Sequence, residues 1–214
     1  MGVALMGGTF DPIHIGHLRS AEEIVSLLGL NSIRLVPSNI PPHRSLPGTA
    51  ATQRLDMIKL AISSNERLEV DDREMRREGR SYSIDTLCDI RFEIGKEQPL
   101  YFVLGSDAYQ LFSEWHRWQE VTQYAHLVVI DRPPIAEGDH RAGLPKELVI
   151  WSEPKQCGIE EMQRCPAGGI CHIELTQMDV SSTKIRSMLA TGMSTRYLLS
   201  DSVRRYIDEK ELYR

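Results

Sequence analysis

A short apolar run, Val3-Ala4-Leu5-Met6, passes directly into Gly7-Gly8 and soon afterwards into helical spacing. Glycines let a backbone approach a ligand closely, and the N–H groups at a helix start point at anions. A strand, a glycine turn and a helix therefore make a phosphate-binding geometry. It is neither G-x-G-x-x-G nor a Walker A loop, because no Gly-Lys-Ser/Thr follows Gly8. In their place stands His14-Ile15-Gly16-His17. Two histidines three apart at a helix start share a face, and Gly16 leaves room for a ligand against the backbone. Such a pair can donate hydrogen bonds to a phosphate whose charge grows in the transition state. On spacing alone, a metal site or a helix cap is the competing reading.

The rest of the chain alternates short apolar strands with helical spacing, which predicts α/β with a mostly parallel sheet. Leu18, Ala21, Val25 and Leu28 recur at helical intervals, closed by Gly29. Strands are expected at 32–36, 68–70, 100–104, 126–130, 148–150 and 173–175. Helices are expected at 53–63, at 83–94 with Ser83 as its cap, and near 182–190 and 202–210. The segment Pro37 to Thr52 holds four of the eleven prolines and no clear period, so it reads as a loop. No repeat or low-complexity linker interrupts the chain, and one domain, 1–214, is the economical expectation.

The net charge of −5 argues against a general nucleic-acid binder. No apolar run approaches the roughly 20 residues of a membrane span, and the apolar start lacks the basic region of a signal peptide. A cytoplasmic protein with reduced thiols is expected, without nucleic-acid or membrane partners. Seven and then five residues separate Cys157, Cys165 and Cys171, which with the adjacent His172 lack the C-x₂₋₄-C pairs of structural zinc sites, so no protein metal ligand is expected. Arg73, Arg76, Arg77 and Arg80 interleave with Asp71, Asp72, Glu74 and Glu78, the pattern of a solvated surface.

Gly7-Gly8-Thr9-Phe10-Asp11-Pro12-Ile13-His14-Ile15-Gly16-His17 resembles the signature of the HxGH adenylyl- and cytidylyltransferases. Four further segments resemble the bacterial nicotinate-nucleotide adenylyltransferases: Pro37 to Arg44, Arg80 to Leu87, Leu104 to Asp107 with Trp115-His116, and Val180 to Arg186. The ending Leu212-Tyr213-Arg214 is similar too. Nearly the whole chain is covered, in order and at compatible spacing. Ser83 departs from the family's threonine, Glu211 stands where glycine is common, and 153–172 matches nothing in the pattern.

The resemblance implies a Rossmann-like three-layer sandwich with a mostly parallel central sheet. It implies that the adenylyl group of ATP passes to nicotinate mononucleotide, giving deamido-NAD and pyrophosphate. His14, His17, Arg44 and Arg186 would act on the phosphates, Arg44 from a lid-like loop. Gly7, Gly8, Thr9, Phe10, Gly16, Gly105, Asp107, Arg132, Ser181, Ser182 and Thr183 would bind ATP. Tyr82, Ser83, Thr86, Trp115 and His116 would hold the acceptor, with an indole face for the pyridine ring. Mg²⁺ is implied by ATP itself and would be held mainly by phosphate oxygens. A homo-oligomer is left open.

Other readings remain. A sister enzyme could use nicotinamide mononucleotide or phosphopantetheine as acceptor, and a nucleotide sensor on this fold needs no chemistry at all. Class I aminoacyl-tRNA synthetases share His-Ile-Gly-His, but 214 residues leave no room for their tRNA-binding domains.

Overall fold

The computed structural model describes residues 2–40, 48–131 and 143–214. In chain order the elements are β1 (Val3–Gly8), α1 (Ile15–Leu27), β2 (Ile33–Pro37), α2 (Ala51–Ile62), β3 (Leu68–Val70), α3 (Arg73–Arg76) and α4 (Ser83–Ile94). There follow β4 (Leu100–Gly105), α5 (Ser106–Gln110), α6 (Val121–Tyr124), β5 (His126–Asp131), α7 (Lys146–Ser152) and α8 (Ile159–Met162). The chain then runs through β6 (Ile170–Glu174), α9 (Ser182–Ala190) and α10 (Asp201–Glu209).

The strand order is β3-β2-β1-β4-β5-β6, and the registered pairs are all parallel. Parallel interior strands are covered on both faces and so read as continuous apolar runs. β4 is buried from Leu100 to Leu104 and β5 along its whole length. The order reverses at β1 and β4, the topological switch beside whose carboxyl ends α/β proteins bind ligands. The strands end at Gly8 and Gly105.

The chain divides into two compact units where composition marks no boundary. One comprises Met1–Gly7, Leu27–Leu30 and Tyr82–Leu175; the other comprises Gly8–Ser26, Asn31–Ser81 and Thr176–Arg214. The core of the first is β1, β4 and β5 with Ile84, Leu87 and Ile90 of α4. The second is built on β2 and β3 with Ala21 and Ile24 of α1, Met57 and Ile58 of α2, Ile185 of α9, and Val203 and Ile207 of α10.

Three expectations need correction. Residues 148–150 form part of α7, not a strand. Leu148 is fully buried while Ile150 is 73% exposed, although a strand would put both on one face; burial returns at Ser152, one helical turn on. The late strand is Ile170–Glu174, so it takes in Cys171 and His172 and leaves Leu175 outside. Ser83 does not cap α4: it is the first helical residue, and Tyr82 occupies the cap without a side-chain hydrogen bond. Among the described residues, no helix is long and apolar enough to cross a membrane.

Candidate active site

In the second unit the chain turns sharply between β1 and α1. Phe10 takes φ +49°, a left-handed conformation that a bulky residue adopts only when its surroundings hold it there. Its buried ring folds back over Gly8, where a Cβ would lie 3.0–3.2 Å from three ring atoms. Gly8 therefore makes room for Phe10. The next peptide, Asp11-Pro12, is cis.

His14 and His17 then meet at the start of α1. Their rings stack with centroids 3.7 Å apart and planes 21° from parallel, and the edge of Phe10 meets His17 at 5.0 Å. The His14 backbone N–H donates to His17 Nδ1 at 3.3 Å. A neutral imidazole accepting at Nδ1 carries its proton on Nε2, so His17 is set up as a donor through Nε2. Gly16 serves a different need from the one its position suggested. A Cβ there would lie 2.8 Å from Val180 Cγ1 and 3.1 Å from His14 Nδ1, so on that side protein, not ligand, fills the space. The Ile15 N–H is also engaged, donating to the Leu198 carbonyl at 3.0 Å.

The start of α9 is tied to the same turn. Ser181 caps the helix by accepting from the Lys184 N–H. Ser182 Oγ donates to the Pro12 carbonyl at 2.9 Å, which commits its hydrogen to the loop. Arg186 Nη1 donates to the Asp11 carbonyl at 2.7 Å, and Nη2 reaches Thr183 Oγ1 at 3.4 Å. The Arg186 side chain remains 38% exposed. The structure thus brings Thr9, Phe10, His14, His17, Ser182, Thr183 and Arg186 into one network.

Sequence reasoning missed two members of it. Arg54 of α2 is 1% exposed; its Nη1 donates to the Thr9 carbonyl at 2.6 Å, and Nη2 donates to those of Ser38 and Asn39 at 2.7 and 3.1 Å. Burial lowers its pKa, opposed by the nearby Asp11 carboxylate. The second is Tyr213, whose hydroxyl donates to Asp11 Oδ1 at 2.6 Å. Burial, reinforced by that bond, raises its pKa far above the ordinary phenol range. Arg54 looked like one polar position on a helix; Tyr213 was visible only as part of a familiar ending.

The first unit holds the expected acceptor residues. Tyr82 lies against His116 with centroids 4.5 Å apart. Trp115 is partly exposed and rests on Phe112 at 5.3 Å and on the edge of Phe102 at 6.2 Å. Ser83 begins α4, with the buried Thr86 one turn further on. Gly105 caps α5, which leaves Asp107 exposed in the first turn and not serving as the cap. Arg44 and Arg132 lie outside the described residues.

The model of the cytidylyltransferase-like family matches residues 5–188. A protein of Pseudomonas putida (strain W619), named a probable nicotinate-nucleotide adenylyltransferase, is 44% identical over 212 residues, covering 99% of this chain and 94% of that protein. One of the same name from Dechloromonas aromatica (strain RCB) is 41% identical over 99% of this chain and 97% of its own length. The chain belongs to the nicotinate-nucleotide adenylyltransferase family. Among solved structures, Plasmodium falciparum nicotinic acid mononucleotide adenylyltransferase complexed with NaAD has a TM-score of 0.73 at 19% identity, covering 99% of this chain and 97% of that one. That likeness carries the Rossmann-like α/β fold. Membership in the nicotinate-nucleotide adenylyltransferases gives the His14–His17 pair an enzymatic setting.

Proposed function

We propose that this enzyme joins nicotinate mononucleotide to the adenylyl group of ATP. A phosphate oxygen of the mononucleotide forms a bond to the α-phosphorus, the bond from that phosphorus to the β-phosphate bridging oxygen breaks, and pyrophosphate leaves with the electron pair. The nucleophile is already an anion, so no general base is required. Catalysis is then positioning together with stabilisation of charge on the transferring phosphorus.

The observation that carries this reading is the His14–His17 arrangement. His17 presents Nε2 as a donor, and a preorganised donor aimed at developing phosphate charge is worth far more than one that must reorient. Arg186, Ser181 and Thr183 supply further groups for the triphosphate, and Arg44 and Arg132 are assigned to the phosphates and the adenosine. Asp107 suits ribose hydroxyls. Trp115 and Tyr82 would face the pyridine ring, with the N–H groups at the start of α4 receiving the nicotinate carboxylate.

Imidazole, guanidinium and hydroxyl donors suit phosphate oxygens better than a hard cation, so these residues fit Mg²⁺ carried on ATP. Bound there, the ion would neutralise charge on the phosphates and the leaving pyrophosphate.

The deciding experiment measures pyrophosphate release from ATP against a panel of acceptors. Turnover with nicotinate mononucleotide, at an efficiency at least about tenfold above the nicotinamide form, is expected. Equal efficiency with the amide would remove the acceptor pocket assignment, and turnover with phosphopantetheine alone would overturn the function.

A further inference from the structure

The Asp11 carboxylate is 5% exposed, and a buried carboxylate needs hydrogen-bond partners. Arg186 is the obvious one, yet it does not close on it. Arg186 Nη1 bonds the Asp11 backbone carbonyl at 2.7 Å but stands 4.0 Å from Oδ2. A closed guanidinium–carboxylate pair lies at about 2.7–2.9 Å. The oxygen that does receive a short bond is Oδ1, and the donor is Tyr213, 202 residues away in sequence.

The path that delivers Tyr213 is unusual. After α10 the chain reverses: the Leu212 N–H donates to the Ile207 carbonyl and the Glu211 N–H to that of Asp208. Both Glu211 (φ +51°) and Tyr213 (φ +64°) are left-handed, a conformation that a side-chain-bearing residue rarely adopts. Such outliers persist where the surroundings hold them. For Tyr213, the surroundings supply burial and hydroxyl hydrogen bonds to Asp11 and Thr49.

We propose that Tyr213 is a positioning residue that satisfies the Asp11 carboxylate and so leaves the Arg186 guanidinium available to the ATP phosphates. Arg54, another described cation near Asp11, is fastened to three carbonyls, which holds its guanidinium in place. Arg186, anchored through one backbone carbonyl and partly exposed, is the group that would move. Without the Tyr213 hydroxyl, Arg186 closes on the carboxylate, and ATP must compete with Asp11 for it. The effect falls on ATP and not on the acceptor. The inference rests on the assignment of Arg186 to the triphosphate.

The test compares Tyr213→Phe, Arg186→Ala and the double variant Tyr213→Phe/Asp11→Asn with the parent enzyme, measuring KM for each substrate, kcat and the thermal midpoint. Tyr213→Phe should raise the KM for ATP about tenfold and leave that for nicotinate mononucleotide within about twofold. Adding Asp11→Asn, which removes the competing charge, should restore most of the ATP affinity. Equal changes in both KM values, or a double variant worse than Tyr213→Phe, would overturn the proposal. If Arg186→Ala leaves the KM for ATP unchanged, the assignment of Arg186 itself fails. If Arg186→Ala raises it while Tyr213→Phe does not, only the role of Tyr213 fails.

Discussion

The backbone N–H of His14 donates to Nδ1 of His17, while the two rings stack at 3.7 Å. One residue of the pair thus fixes which nitrogen of the other carries its proton, and the contact locks the ring plane. Neither effect needs substrate. The donor geometry is built into the turn itself, which is what electrostatic preorganisation at the proposed ATP site requires.

Replacing His17 with alanine should lower kcat/KM by about 10²–10³, the usual loss for one preorganised donor. The thermal midpoint should move by only a few degrees, because His17 is partly exposed. Pyrophosphate release and a melting curve on the same preparation check both halves. A loss of less than about fivefold would remove His17 from the chemistry.

Arg54→Met keeps most of the volume but leaves the carbonyls of Thr9, Ser38 and Asn39 without their donor. Each buried acceptor left unpaired costs about 1–3 kcal/mol, partly recovered by relaxation and by no longer burying a charge. A net loss of about 3 kcal/mol in urea unfolding is expected, with activity falling as the Gly8–His17 turn loosens. A stability change below about 1 kcal/mol would mean that the buried guanidinium is dispensable.

Two helices end alike with different residues. After α9, Gly192 (φ +70°) closes the turn, with the Met193 N–H bonded to the Met188 carbonyl. After α10, Glu211 occupies the equivalent left-handed position. Its side chain pairs with the exposed Arg214, and such surface pairs contribute little. Glu211→Gly should therefore stabilise the protein by about 0.5–1 kcal/mol despite the added freedom of the unfolded chain. A lowered thermal midpoint would contradict the left-handed assignment.

His126 predicts an acid limb to the stability curve. It is 1% exposed, accepts from the Gly169 N–H at Nδ1 and lies 2.9 Å through Nε2 from the Cys165 carbonyl. Burial holds its pKa below the ordinary 6.5. The unfolded chain therefore binds a proton more readily than the folded one as pH falls through that value. Stability is full above about pH 6.5 and declines below it until the folded group also titrates. The urea midpoint should drop between pH 7.5 and 5.5, and His126→Asn should flatten that part of the drop. An equal slope in parent and variant would assign the acid limb to other groups.

Much of the architecture was legible because parallel strands are apolar throughout and stop at glycine or proline. β1, β2, β4 and β5 lay where such runs predicted them. The three-residue run Leu148-Val149-Ile150 was ambiguous, since a short apolar run carries no period, and packing placed it in a helix. On α2 the apolar spacing of Leu55, Ile58 and Ile62 predicts a buried face that holds at Ile58 and Ile62, but Arg54 and Met57 complete it and Leu55 is only partly covered. An arginine reads as solvated unless its carbonyl partners are known, and those sit 15, 16 and 45 residues away. Gly16 shows the same limit, since the atoms that forbid a Cβ there belong to Val180 as well as to the neighbouring His14.

The long reach of these ties sets an order in time. The turn from Gly8 to His17 leaves the ribosome well before its partners, which follow 170 residues later at Ser182, 175 at Arg186 and 202 at Tyr213. At roughly 5–20 residues per second, that is about 10–40 s of synthesis. During this interval a nascent chain displays the histidine pair without the groups that brace its loop. On the proposed assignment, a chain with the outward sequence of an adenylyl-transferring site still lacks the groups meant for the triphosphate, and they arrive one after another as residues 182, 186 and 213 emerge.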